Sequence, residues 1–112
     1  TGFRAAIATF ITADKVKALT FMDASEKLLT VVRHFASLVG QGSIPLDTIG
    51  DAVRVQFLSD QPEARLWFAV IEPVLKRYSI QVEGRPVVVA TEVVQIMDRL
   101  LVALEEMRSL AK

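Results

Sequence analysis

The chain has 112 residues, and its 13 Lys and Arg residues balance its 13 Asp and Glu residues to a formal net charge of zero. It has no Cys and one His, which excludes disulfides, a thiolate nucleophile, Cys-ligated metal centres and sites built from paired histidines. The balanced charge argues against nucleic-acid binding through an overall positive excess, although it allows a local basic patch.

The first predicted element is a long helix over residues 13–39, preceded by a segment at residues 3–11 that forms a separate short helix or extends the long one. Apolar residues recur along the long helix at alternating steps of four and three, which is the spacing of a packed seam. This seam consists of Phe21, Ser25, Leu28, Val32, Phe35 and Val39. Leu29, Val31 and Leu38 widen the apolar face, so we expect this helix to pack against more than one neighbour.

Two further helices are predicted in the middle of the chain. Gly40 and Gly42 separate these two helices from the long helix. The first of the two helices spans residues 45–58 and has apolar residues at steps of three and four. The second spans residues 61–78. Pro73 falls inside this second helix and removes a backbone N–H, so we expect a kink or a break there.

Residues 79–90 do not follow helical periodicity. The segment is rich in Val and contains Gly84 and Pro86, which favours a short β-hairpin that turns at residues 83–85. A loop that leads into the next helix is the alternative. The last helix is predicted to begin with Thr91 as its N-cap and to continue to the end of the chain. Its seam again repeats by four and three, through Val93, Met97, Leu100, Leu104, Met107 and Ala111.

The sequence therefore predicts a mostly α-helical domain, a bundle of four or five helices with one short β-hairpin near residues 79–90. The order of two helices, a hairpin and a long terminal helix also resembles a winged helix, in which the second helix enters the major groove of DNA. That resemblance implies DNA-facing roles for Arg65, Lys76, Arg77 and Arg85. Against it, the helix at residues 61–78 carries few polar side chains that would meet base edges.

Catalytic and metal-binding chemistry is not indicated by the sequence. His34 has no carboxylate three or four residues away that would orient it as a base or a ligand, so we interpret it as a surface histidine. Asp47 and Asp51 have the spacing to share a cation on one helix face, but a solvated face explains them as well. The glycines at residues 40–43 lack the spacing of a phosphate-binding loop. We expect no enzymatic activity, no cofactor and no metal.

The composition favours an interaction role. Hydrophobic residues make up 52% of the chain before its five glycines are added, whereas apolar residues including Gly usually account for about 45–50%. A small domain has little interior per residue, so this excess predicts an apolar patch on the surface. A completely filled core of a monomer is the alternative.

We therefore expect a non-enzymatic protein–protein interaction or oligomerisation module, a scaffold or adaptor domain that acts through an exposed apolar helical face. The expected partner-binding residues are Trp67, Phe68, Leu100, Leu104 and Met107, because large apolar anchors often dominate interfaces. Two alternatives are a winged-helix-like nucleic-acid-binding domain and a helical domain that binds a lipid or another apolar ligand. The sequence alone does not distinguish a seam that faces a helix of the same chain from one that faces another chain.

The length fits a single domain over residues 1–112. Because the chain starts at Thr1 without a signal-peptide pattern, we expect a domain excised from a longer protein. Its longest uncharged stretch, residues 34–46, is shorter than the roughly 20 apolar residues that a transmembrane helix needs. The absence of Cys and Asn excludes disulfides and N-glycosylation sites, which favours a cytoplasmic or otherwise intracellular location.

Overall fold

The computed structural model describes residues 15–111, and the side chains of residues 19–110. In chain order, the elements are helix α1 (Lys15–Val39), strand β1 (Ser43–Pro45), helix α2 (Leu46–Gln56), helix α3 (Pro62–Leu66), a π-helical turn (Trp67–Ile71), helix α4 (Glu72–Arg77), strands β2 (Ile80–Val82) and β3 (Arg85–Val89), and helix α5 (Ala90–Ala111). The predicted mostly α-helical fold with a hairpin near residues 79–90 is confirmed. The predicted segment at residues 3–11 lies outside the described residues.

Helices α1 and α5 form the long antiparallel pair. Two ion pairs cross between them, one joining Arg33 Nε to Asp98 Oδ1 at 2.5 Å and one joining Arg108 Nη2 to Asp23 Oδ1 at 2.6 Å. The later residue of α1 pairs with the earlier residue of α5, so the two helices run in opposite directions. Both helices contribute buried residues to the hydrophobic core of the domain. These include Leu28, Leu29 and Val32 of α1 and Val93, Met97 and Leu104 of α5.

The predicted hairpin consists of β2 and β3, with Ile80 opposite Val87 and Val82 opposite Arg85. It turns at two residues, Glu83 and Gly84, whose φ angles are 52° and 78°. Positive φ at both central residues defines a type I′ turn, whose twist matches that of the flanking strands. The hairpin is therefore one residue tighter than the sequence pattern predicts, and Thr91 lies inside α5 rather than ahead of it.

Strand β1 is the element that the sequence pattern does not predict. Residues at the expected start of the second helix instead pair with β3, with Ile44 opposite Val88. Both of these side chains are buried, so the strand closes one side of the core. The sheet has the order β1–β3–β2. Helix α2 consequently starts after Pro45, and a strand of three residues is too short to show a period in the sequence.

At Pro73, where we expect a kink or a break, the structure has the π-helical turn directly ahead of the proline. The N–H of Glu72 bonds to the carbonyl of Trp67, five residues back instead of four. In a regular helix the ring of Pro73 would clash with the carbonyl of Ala69. The wider turn directly ahead of Pro73 lets the helical backbone continue past the proline.

Candidate functional site

The structure divides the five predicted partner-binding residues between the core and the surface. Trp67, Leu104 and Met107 belong to the hydrophobic core. Leu100 is half-buried against that core, and Phe68 is 39% exposed. A partner can therefore contact Phe68 and the edge of Leu100 while the chain stays folded, and the binding role of all five residues remains a prediction.

Phe68 lies on the surface beside helix α2. The guanidinium carbon of Arg54 lies 4.9 Å from the centre of its ring, which is the geometry of a cation–π contact. The neighbouring residue Trp67 points the other way, into the core, because adjacent residues of a helix face different directions. One residue of this aromatic pair thus stabilises the fold, and the other is available at the surface.

An apolar surface that is larger than the exposed ring of Phe68 lies between α1 and α2. The two helices form the sides of an open groove with a volume of about 500 Å³. We call it the α1–α2 groove. It is lined by Thr30, Val31, His34, Phe35 and Leu38 of α1 and by Ala52, Val55 and Gln56 of α2. None of these residues is Asp, Glu, Lys or Arg. Leu38 and Val55 are 72% and 83% exposed, so its rim offers apolar surface to solvent.

The sequence explains why α1 contributes to this groove. Phe35 belongs to the predicted seam of the long helix, and Val31 and Leu38 are the flanking residues that widen it. We expect this widened face to pack against a second neighbour, and in the structure that neighbour is α2. Helix α2 leaves Val31 and Phe35 half-buried and Leu38 exposed. Helix α2 therefore covers the apolar face of α1 only in part, and the part left uncovered forms the α1–α2 groove.

None of the five predicted partner-binding residues lines the α1–α2 groove, and Val55 is a groove residue that the sequence does not indicate. The predicted apolar positions of its helix include Ile49 and Val53, which are buried. Val55 lies on the opposite, solvent-facing side of α2, where a single apolar residue produces no periodic signal. Only the position of α1 beside it shows that Val55 continues an apolar surface.

One end of the α1–α2 groove meets a charged region. Thr30, Val31 and Gln56 also line a second hollow, which contains Asp23, Glu26, Lys27 and Arg108. The guanidinium of Arg108 contacts a carboxylate oxygen of Asp23 at 2.6 Å and one of Glu26 at 2.5 Å. These charges are therefore largely balanced within the chain, and the apolar part of the groove is its distinctive feature.

The four residues implied in DNA binding, Arg65, Lys76, Arg77 and Arg85, are exposed, and the part of the chain that carries them has no overall positive charge. Arg85 is held by Asp47, with Nη2 2.7 and 2.8 Å from the two carboxylate oxygens. Arg54, the other basic residue nearby, contacts Asp51 at 2.9 Å. From α2 to β3, five basic residues, Arg54, Arg65, Lys76, Arg77 and Arg85, stand against six acidic ones, Asp47, Asp51, Asp60, Glu63, Glu72 and Glu83. Phosphate binding usually requires the opposite balance.

The residues considered for metal or catalytic chemistry have other surroundings in the structure. His34 is exposed at the rim of the α1–α2 groove. Asp47 forms an ion pair with Arg85, and Asp51 forms one with Arg54. Within residues 15–111, no group of three or more His, Cys, Asp or Glu side chains is placed to hold a metal ion.

Within the described part of the chain, none of the helices has the length and apolar character needed to cross a membrane. Comparisons with protein-family models, with curated proteins and with solved structures give no match.

Proposed function

We propose that this chain is a protein-interaction module that binds an α-helix of a partner protein in the α1–α2 groove. The observation that carries the proposal is the mostly apolar lining of the groove, which contains no Asp, Glu, Lys or Arg, together with the exposure of Leu38 and Val55. Single exposed apolar residues are common on protein surfaces, but a contiguous apolar hollow is typical of an interaction site. Complete burial of one such side chain contributes about 1.5–3 kcal/mol.

The shape of the groove favours a helix as the bound element. Two neighbouring helices present ridges and a furrow into which the side chains of a third helix fit. The α1 stripe from Val31 to Leu38 extends over about 10 Å, or two helical turns, at 1.5 Å per residue. An amphipathic helix with apolar residues at positions i, i+3 or i+4, and i+7 matches this length.

The test begins with a photoreactive amino acid at position 34, on the groove rim, and a control at position 102. Val102 is 57% exposed on α5 and does not line the groove. A protein captured from position 34 but not from position 102 is then purified and titrated against the chain by calorimetry. Leu38→Asp and Val55→Asp should weaken binding by at least about tenfold, and Val102→Asp should change it by less than about twofold. Equal loss for all three variants would contradict the proposal.

The order of elements favours nucleic-acid binding as a second candidate function. Strand β1 between the first two helices and the sheet order β1–β3–β2 add to the predicted resemblance to a winged helix. The charge balance over residues 46–89, with five basic and six acidic residues, argues against it. Binding to DNA should appear as salt-sensitive retention on heparin that Arg65→Ala and Lys76→Ala reduce. Elution at low salt would remove this candidate.

The proposal includes a scaffold or adaptor role and an intracellular location, both of which depend on the identity of the partner. Binding of a lipid or another apolar ligand is the remaining alternative. The apolar hollow that we describe is open to solvent along the surface, whereas small-molecule pockets usually bury most of their ligand. A helix with one apolar side fits an open groove better.

A further inference from the structure

A lysine at the charged end of the α1–α2 groove has no partner within the described chain. Lys27 is exposed and lines the hollow that adjoins the groove, together with Asp23, Glu26 and Arg108. Arg108 contacts both of these carboxylates. Among the side chains of residues 19–110, none forms an ion pair or a hydrogen bond with Lys27. Lys27 is therefore free to pair with another molecule.

Lys27 continues the groove-lining face of α1 by one helical turn. Lys27, Val31, His34 and Leu38 follow one another at steps of four, three and four, which is the spacing of one helix face. Successive residues of an α-helix are about 100° apart around its axis, which places Lys27 within about 15° of the middle of the α1 residues that line the groove. A helix that lies along the groove therefore meets Lys27 where the apolar lining ends.

The two carboxylates of the hollow are turned toward another neighbour. By the same angular measure, Asp23 is about 50° and Glu26 about 110° from the middle of the groove-lining residues. Both contact Arg108, which belongs to α5 and not to α2. Asp23 has the i, i+4 spacing to pair with Lys27, but its Oδ1 lies 2.6 Å from Arg108 Nη2 instead. The negative charge that these three side chains carry together therefore lies toward α5, and Lys27 gives the end of the groove a positive charge.

We propose that the helix bound in the α1–α2 groove carries Asp or Glu one helical turn beyond its apolar residues, and that this carboxylate pairs with Lys27. The inference rests on the proposed function, because it specifies the partner of the same groove. Apolar burial is not directional, so the lining by itself accepts amphipathic helices of many sequences. A charge at the end of the groove adds selectivity, because it attracts a carboxylate and repels a lysine at the same place.

The ligand class is therefore an amphipathic helix with apolar residues at i, i+4 and i+7 and a carboxylate in the next turn. The carboxylate lies at i−4 or at i+11, according to the direction in which the helix runs along the groove. This pattern extends over about four turns, which corresponds to the distance along α1 from Lys27 to Leu38 with one residue pair at each turn. The apolar residues supply most of the affinity, and the carboxylate distinguishes one helix from another.

Two designed peptides of about 18 residues test the inference with the full chain. Both carry Leu at i, i+4 and i+7 on an otherwise identical helical sequence. They differ only at i−4 and i+11, where one peptide carries Glu and the other Lys. In fluorescence anisotropy titrations at low salt, the Glu peptide should bind at least about threefold more tightly, because an exposed ion pair replaces a like-charge contact. In about 1 M salt the difference should fall below about 1.5-fold, since charges are then screened within about 3 Å.

Charge reversal in the chain supplies the matched control. Lys27→Glu should invert the preference, so that the Lys peptide binds about threefold more tightly than the Glu peptide. Lys76→Glu makes the same change at an exposed lysine of α4 that does not line the groove or the hollow, and it should leave the preference as in wild type.

Equal affinity of the two peptides, tighter binding of the Lys peptide to wild type, or the same preference in wild type and Lys27→Glu would overturn the inference. If Leu38→Asp still weakened the binding of both peptides in any of these cases, the proposed function would stand without it. Binding of neither peptide to the wild-type chain would contradict both.

Discussion

Gly50 of α2 lies directly against the indole ring of Trp67, because a β-carbon placed on Gly50 would stand 3.3 Å from Trp67 Nε1. Glycine inside a helix costs about 1 kcal/mol relative to alanine. Here it lets α2 approach the π-helical turn closely enough to cover Trp67 completely. The position of α2, and with it the α1–α2 groove, depends on this contact.

The first prediction concerns this close approach. Gly50→Leu should destabilise the fold by about 1–3 kcal/mol, because the added side chain must displace Trp67 or α2. Urea titration with circular dichroism measures the free energy of unfolding. Val55→Leu on the same helix is the control, and since Val55 is 83% exposed it should change stability by less than about 0.5 kcal/mol. Equal effects of the two substitutions would show that Gly50 does not set this packing.

The second prediction concerns the type I′ turn. Glu83 adopts a φ of 52°, a conformation that costs an ordinary L-residue roughly 1–2 kcal/mol and that asparagine tolerates better. Glu83→Asn should therefore raise the free energy of unfolding by up to about 1 kcal/mol. Glu83→Val should lower it, because a β-branched residue fits positive φ poorly. Thermal unfolding of both variants at one salt concentration separates these outcomes, and a stabilising Glu83→Val would refute the turn assignment.

The third prediction compares what holds α1 and α5 together. Leu104 is 2% exposed in the seam, so Leu104→Ala should cost about 2–5 kcal/mol through lost burial and the cavity left behind. Arg33 and Asp98 pair at a site where 43% and 49% of their side chains are exposed. Arg33→Gln should therefore cost less than about 1 kcal/mol, and less again in high salt. If Arg33→Gln lowered the free energy of unfolding more than Leu104→Ala did, the ion pair and not apolar burial would be the main interaction that holds α1 against α5.

The sequence predicts the long helices because their seams repeat over many residues. The steps of four and three that include Leu28 and Val32 in α1, and Met97 and Leu104 in α5, give one consistent face on each helix. Burial of these residues in the structure follows from that pattern. The pattern does not show whether an apolar seam packs against the same chain or against another chain. For this reason, core residues such as Leu104 are also predicted as partner contacts.

The features that sequence reasoning misses are short or depend on distant residues. Strand β1 has three residues, and it forms because Ile44 can be buried opposite Val88, more than 40 residues later. The π-helical turn depends on how the chain accommodates Pro73. Val55 becomes part of an apolar surface only because α1 lies beside it. The pairing of Ile44 with Val88 and the position of Val55 have no local signature in the sequence, and Pro73 predicts a kink or a break but not the π-helical form that it takes.

The claim that the α1–α2 groove binds a partner is tested most directly by thiol labelling in cells. The chain has no cysteine, so Val55→Cys and Val102→Cys each introduce a single exposed thiol, one in the groove and one on α5. We predict that Val55→Cys reacts at least about tenfold more slowly in cells than in the purified chain, while Val102→Cys reacts equally fast in both. Equal reactivity of Val55→Cys in the two settings would show that nothing covers the groove and would contradict the proposed function.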